Sequence, residues 1–380
     1  MSARIYFDHN ATSPLRPVAR AALLAGLEAG NASSIHAEGR EARSLIENAR
    51  TKIAVALGTK ARLVTFTSGA TEAANLALQP QDEAELLLIG AGEHPCVLTG
   101  HGFAAENIES VPLDAQGRLD LEALAAALAR GAGRRITLAL QAVNNEVGVV
   151  QPVAAAAALV HAAGGVVVCD AVQAFGRIDC TFAATGADLI FVSGHKLGGP
   201  KGVGALVCAS EKVRPAKALI RGGGQERNLR GGTENGAAIA GFGAAVTEAM
   251  EARETEAQRL AELRDYLQAN LLQIAPEAAI FGSEAQRVAN TLAFALPGLA
   301  AETLVAAFDV EGVALSSGSA CSSGKVTPSH VLAAMGASES QSRSALRLSL
   351  GWNTQQEEVV RFLEIFARVY VRMRNRQVRA

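Results

Sequence analysis

A series of short apolar runs, each followed by polar residues, constrains the fold of this chain more than any other feature. The runs are Leu63–Phe66, Leu86–Ile89, Ile136–Gln141, Val166–Cys169 and Leu189–Val192. Apolar runs of this length bounded by turn residues read as strands buried on both faces. Helical stretches separate them. The clearest starts at Pro152 and stops at Gly164, with proline at the helix start and glycine just past its end. Strands alternating with helices predict an α/β fold, a mostly parallel central sheet covered by helices, with ligands bound at the carboxyl ends of its strands. After about residue 250 the pattern changes to a charged helix from Ala252 to Ala275, strands at Val288–Ala295 and Leu346–Leu350, and a final helix from Gln355. Since 380 residues exceed what one core usually supports, two domains are expected. Residues 15–250 form the large one, and 1–14 with 251–380 form a smaller α+β domain.

Composition excludes several function classes. Hydrophobic residues make up 49% and aromatics only 4%, so a core of Ala, Leu and Val with little ring stacking is expected. The net charge of -2 gives no electrostatic reason for a nucleic-acid or anionic-membrane partner. Met1 to Asn10 has no apolar leader pattern, and the most membrane-like stretch, Val153 to Val168, is interrupted by His161, Gly164 and Gly165. A cytoplasmic location is therefore expected. Cys96, Cys169, Cys180, Cys208 and Cys321 form no C-x-x-C pair, so neither a disulfide framework nor a zinc site is expected. The C-terminal Arg368, Arg372, Arg374, Arg376 and Arg379 suit a last helical turn, where cations complement the dipole.

The polar residues beyond each run form a set with common chemistry. Ser68, Gly69, Ala70 and Thr71 follow the first run at a helix start, which suits a phosphate, although simple capping explains Ser68 and Thr71 equally. Glu93 and His94 follow the second, and Asn144, Asn145 and Glu146 the third. Asp170 follows the fourth, with Gln173 three residues on. An aspartate at the end of such a run is costly unless it meets a positive group. Ser193-Gly194-His195-Lys196 follows the fifth. An amine held against apolar walls is disfavoured as a cation and becomes available to attack a carbonyl. A solvated hairpin lysine fits the same residues. A carboxylate, a phosphate site and an amine converging on one sheet edge fit pyridoxal 5'-phosphate. No G-x-G-x-x-G or G-x-x-x-x-G-K-[ST] order is present for a nucleotide.

Asp170-Ala171-Val172-Gln173, Ser193 to Lys196, Arg221 to Arg227, Gly232-Thr233-Glu234-Asn235 and Ser317-Gly318-Ser319-Ala320-Cys321 together resemble the cysteine desulfurases. These are pyridoxal-phosphate enzymes of the class V aminotransferase superfamily. The likeness runs from Tyr6 to Gly351 and implies a fold-type I homodimer. It implies that Lys196 is the Schiff-base lysine, that Asp170 partners the pyridine nitrogen and that Gln173 donates to the ring hydroxyl. His94 would stack on the ring with an acid–base role, and Asn145 would contact the ring. Ala70, Thr71, Ser193 and His195 would contact the phosphate, and Thr233 would reach the phosphate of the neighbouring subunit. Arg347, with Asn31 as a weaker second contact, would bind the carboxylate of L-cysteine.

Cys321 selects among the superfamily's chemistries. Its neighbours are small and polar, unlike those of the other cysteines, and residue chemistry alone leaves a reactive or an inert thiol open. The resemblance makes it the nucleophile that takes sulfur as a persulfide and leaves alanine, for transfer to an iron–sulfur scaffold or another thiol acceptor. Ser322 to Pro328 resembles the branch with a mobile catalytic loop. Ala32 and Asn228 depart from residues common in relatives, proline and glycine, and Asn tolerates positive φ. The alternatives are a selenocysteine lyase or an aminotransferase. A silent sulfur-transfer scaffold would not keep Lys196, Asp170 and Cys321 together.

Overall fold

The computed structural model describes residues 4–318 and 329–379. Its centre is a seven-stranded sheet in the spatial order Val64–Thr67, Gly204–Cys208, Leu189–Ser193, Val166–Asp170, Ile136–Gln141, Leu86–Gly90, Ile108–Val111. Every neighbouring pair is parallel except the two made by Gly204–Cys208, which are antiparallel. The five expected runs are all strands here, and their burial on both faces follows from helices packed on each side. A sixth apolar run, Ala205–Cys208, forms the strand Gly204–Cys208, and Ile108–Val111 is an additional edge strand. Its mixed Ile-Glu-Ser-Val sequence is partly exposed and lacks the apolar signal.

The rest of the chain builds a four-stranded antiparallel sheet in the order Ser316–Ser317, Ala345–Ser349, Thr291–Ala295, Ala279–Ile280. The expected strand at Val288–Ala295 is thus shorter, because the Val288 amide donates instead to Gly148 O. Ile5–Tyr6 pairs with Val313–Ala314, and Ile5 and Phe7 join the hydrophobic cluster of this second part. That cluster corrects the expectation of little ring stacking. Phe308 stacks on Phe366, and Phe7, Phe294 and Phe362 pack edge-on or tilted around them.

The charged helix is far longer than its sequence suggests: one helix of 39 residues spans Gly236–Ile274. Its first half buries Ala238, Phe242, Ala245 and Val246 in the cluster of the large sheet. Its second half buries Leu260, Leu263, Leu267 and Leu271 in the other cluster. Glycine in the first half reflects close approach, since a methyl on Gly243 would lie 2.7 Å from the Ala49 backbone. Of the C-terminal arginines, Arg376 and Arg379 do fall in the last turn of the final helix, Gln356–Arg379, and three others make ion pairs. Arg368 and Arg372 pair with Glu311, and Arg374 pairs with Glu277. Among the described residues, no helix is long and apolar enough to cross a membrane.

One buried ion pair anchors the loop that precedes the long helix. Arg50 grips Glu226 bidentately at 2.7 Å for both bonds, and Glu226 Oε2 also accepts from the Phe66 amide at 2.8 Å. Glu226, Arg227 and Asn228 all have positive φ, of 47°, 56° and 67°. Non-glycine residues hold that conformation at a cost, which surrounding contacts must overcome. Removing one member of a buried pair strands the other charge. Glu226→Ala should therefore lower stability by about 3–5 kcal/mol in urea unfolding, and a loss below about 1 kcal/mol would show that the pair does not hold this loop.

Candidate active site

A cavity of about 620 Å³ opens at the carboxyl edge of the large sheet. Parallel strands share that edge, so the residue types that follow each apolar run meet there. Register shows how: Gln141 pairs with Asp170, and Asp170 with Phe191, two residues before Ser193. The cavity is lined by Ala70, Thr71, His94, Asn145, Asp170, Gln173, Ser193, His195, Lys196 and Arg347. Ala70 and Thr71 begin the helix Ala70–Ala77. His195 and Lys196 sit in the single turn that follows the strand Leu189–Ser193. Arg347 comes from the other sheet. In the strand Ala345–Ser349, Leu346 and Leu348 face the core cluster, and period-two alternation turns Arg347 to the opposite side.

Lys196 is held by polar groups, which corrects the expectation of apolar walls. Its Nζ donates to Asn10 O at 2.6 Å and to Ala11 O at 3.0 Å. Gln173 Nε2 donates to the same Asn10 carbonyl at 3.0 Å, while its Oε1 accepts from Arg177. The holds on Lys196 come from the backbone carbonyls of Asn10 and Ala11, and backbone groups carry no residue-type signal. Arg347 donates through Nη1 to Asn145 O at 2.9 Å and through Nη2 to Asp8 Oδ1 at 2.8 Å. Its buried Nε has no hydrogen-bond partner among the described residues.

Burial sets the electrostatics. Asp170 is 7% exposed. Burial pushes its carboxyl up to about 6, against the Val172 amide that it accepts at 2.8 Å and the nearby Lys196. Glu93, wholly buried next to it, is pushed well above the carboxylate range by burial and by Asp170, and its Oε2 has no partner among the described residues. His94 is lowered to about 4 by burial and then by Lys196, and its Nδ1 accepts from the Cys96 amide at 3.1 Å. The ring is therefore neutral at pH 7, with its proton on Nε2. His195 is likewise lowered to about 4 by burial and then by Lys196 and Lys201.

These features fit a planar aromatic aldehyde that carries a phosphate and a protonated ring nitrogen. Asp170 is a buried carboxylate whose raised pKa marks the lack of a bonded cation, and a helix N-terminus and the amine of Lys196 face the same cavity. Two predicted residues are elsewhere. Thr233 lines a separate cavity with Glu226 and Arg230. Asn31 is exposed, its Oδ1 accepting from the Ser33 amide at 2.8 Å. Cys321 lies outside the described residues. Cys96, buried in a hydrophobic cluster, also borders the cavity, with its thiol raised by burial and then by Asp170 and Glu93. Among the described residues, no group of three His, Cys, Asp or Glu side chains is placed to hold a metal ion.

Known proteins are similar to this chain in sequence and shape. The aminotransferase class-V family model matches residues 5–362. A cysteine desulfurase of Frankia sp. is 38% identical over 392 residues, covering 98% of this chain and 92% of that protein. The protein named cysteine desulfurase IscS of Dictyoglomus turgidum is 35% identical over 385 residues, covering 98% and 96%. The solved NifS-like protein of Rickettsia africae superposes with a TM-score of 0.89 at 33% identity, covering 97% of this chain and 99% of its own. A second solved structure, SspA in complex with cysteine, superposes with a TM-score of 0.77 at 29% identity, covering 91% and 98%.

The raised Asp170 carboxyl carries a testable cost. A carboxyl whose pKa rises from 3.8 to about 6 on folding binds its proton more tightly in the folded state. Stability is then full below about pH 4 and lost as pH rises through about 6. In protein freed of bound ligands, Asp170→Asn should be more stable than the parent by about 3 kcal/mol at pH 8, with the advantage gone near pH 4. Denaturant titrations at the two pH values measure it, and equal gains at both would remove the electrostatic explanation.

Proposed function

The chain belongs to the class-V aminotransferase family and, within it, to the cysteine desulfurases, and from that premise we propose how its cavity takes sulfur from L-cysteine. The protein is an L-cysteine desulfurase, an enzyme that leaves L-alanine. The observation that carries the reading is the meeting of Lys196, Asp170 and Arg347 in one cavity, drawn from two different sheets.

Pyridoxal 5'-phosphate, general to this family, supplies an aldehyde for amine exchange and a sink for the electrons released at the substrate α-carbon. The remaining work falls to the chain. The amine of Lys196 would hold the aldehyde and would move the proton at the α-carbon. Asp170 holds the proton of the ring nitrogen, where its buried carboxylate gains the positive partner it lacks. Gln173 would donate to the ring hydroxyl, Asn145 would contact the ring, and the neutral imidazole of His94 would lie against it. Ala70 and Thr71 at the helix start, with Ser193 and His195, receive the phosphate. The planar fork of Arg347 binds the substrate carboxylate, with Asn31 a weaker second contact.

Cys321 is the proposed nucleophile. Its thiolate forms a sulfur–sulfur bond with the substrate sulfur as the Cβ–S bond breaks. The carbon keeps the electron pair and takes a proton, which yields alanine and a persulfide on the protein. The acceptor of that sulfur is an iron–sulfur scaffold or another thiol. The enzyme works as a homodimer in which Thr233 reaches the partner's phosphate site. Its described cysteines are all unpaired, which suits the reducing cytoplasm as its compartment.

Purified protein given L-cysteine and a thiol reductant should release alanine and sulfide in equal amounts. Cys321→Ala should bind L-cysteine yet release neither product above background, and sulfide at the parent rate would remove Cys321 from the mechanism. Lys196→Ala should lose the lysine adduct that borohydride reduction fixes in the parent.

A further inference from the structure

The segment Asp8 to Thr12 touches four functional side chains of the cavity. Its carbonyls hold Lys196 and Gln173, Thr12 Oγ1 lies 3.2 Å from His195 Nδ1, and Asp8 meets Arg347. Asp8 alone among these carries an unassigned charge.

Its geometry is that of a brace. The Asp8 carboxylate takes one Nη2 donor of Arg347 and does not line the cavity, whereas Arg347 does. The two side chains are 20% and 4% exposed respectively. Asp8 is itself fixed, because its carbonyl accepts from the Ala11 and Thr12 amides. It also bridges to Ser349, two residues beyond Arg347 on the same strand. Asn145 O occupies Nη1, so the guanidinium is held at both terminal nitrogens in the absence of substrate. A planar fork recognises a carboxylate well only when its plane is set beforehand, because a free arginine loses side-chain freedom on binding.

We propose that Asp8 is a positioning residue for the substrate carboxylate. It clamps the plane of Arg347 from behind so that the remaining N–H groups of the fork meet L-cysteine in a fixed direction. The inference rests on the reading that Arg347 binds that carboxylate.

The test compares Asp8→Ala, Asp8→Asn and Asp8→Glu with Arg347→Ala in the cofactor-loaded enzyme. KM and kcat for L-cysteine are measured, together with the affinity for L-alanine by calorimetry, a binding readout separate from turnover. Asp8→Ala should raise KM about tenfold and weaken L-alanine by a similar factor, with a smaller effect on kcat. Asp8→Asn, which keeps an acceptor oxygen at the same reach, should recover most of the loss. Asp8→Glu keeps the charge but displaces the fork by one methylene, so it should not. A parent-like or lowered KM in Asp8→Ala overturns the inference. So does recovery in Asp8→Glu without recovery in Asp8→Asn, which would leave charge alone as the role. Should Asp8→Ala fail to fold, the ranking of Asn over Glu decides. An unchanged KM in Arg347→Ala would instead remove the reading of Arg347. A raised KM there with an unchanged one in Asp8→Ala removes only the role of Asp8.

Discussion

The carbonyl oxygen of Asn10 accepts from two of the cavity's functional side chains, Lys196 and Gln173. Its side chain ties the same residue to both sheets. Asn10 Nδ2 donates to Asn145 O at 3.3 Å and to Thr291 Oγ1 at 2.9 Å, and Asn290 Nδ2 donates to Asn10 Oδ1 at 3.0 Å. Asn145 belongs to the turn after a strand of the large sheet, whereas Thr291 starts a strand of the small one. A fully bonded buried amide fixes orientation, since any other arrangement leaves donors unsatisfied. The relative placement of Lys196 and Arg347, which come from different sheets, depends on this junction.

Around that junction the protein keeps ionisable groups in costly positions. Glu93, Asp170 and His94 have been displaced by burial toward their neutral forms. Glu146 has too, at about 7, although the Ser329 hydroxyl donates to it and Arg347 is near. A folded core alone gains nothing from such groups. They make sense as a prepared surface, where a ligand with complementary charge recovers what burial cost. The same trade appears in the Glu226–Asn228 loop, whose positive φ angles are tolerated because a buried ion pair over-determines them.

Much of this was legible in the amino-acid order. Five apolar runs located five strands of the large sheet, and the polar residues after them led to one cavity, because parallel strands end on a common edge. Arg347 was different. It lies mid-strand on another sheet, so only the family resemblance pointed to it. Ile108–Val111 escaped notice as a half-exposed edge. The first half of the long helix was hidden by glycines and alanines, which there serve close packing and lack an amphipathic stripe. Several holds in the cavity run through backbone carbonyls, those of Asn10 and Ala11 on Lys196 and that of Asn145 on Arg347, and residue type says nothing of them. Asn31 and Thr233 stand apart from the cavity within a single chain, and Cys321 lies outside the described residues.

The unbroken helix Gly236–Ile274 has a mechanical meaning. At 1.5 Å per residue it is a rod of about 58 Å, and its two halves are built into different hydrophobic clusters. Nothing along it resembles a hinge, since bending would break hydrogen bonds within a continuous helix. Damage to one cluster therefore reaches the other along the shared rod. The two parts of the chain should melt in a single cooperative step, each acting as a splint for its neighbour.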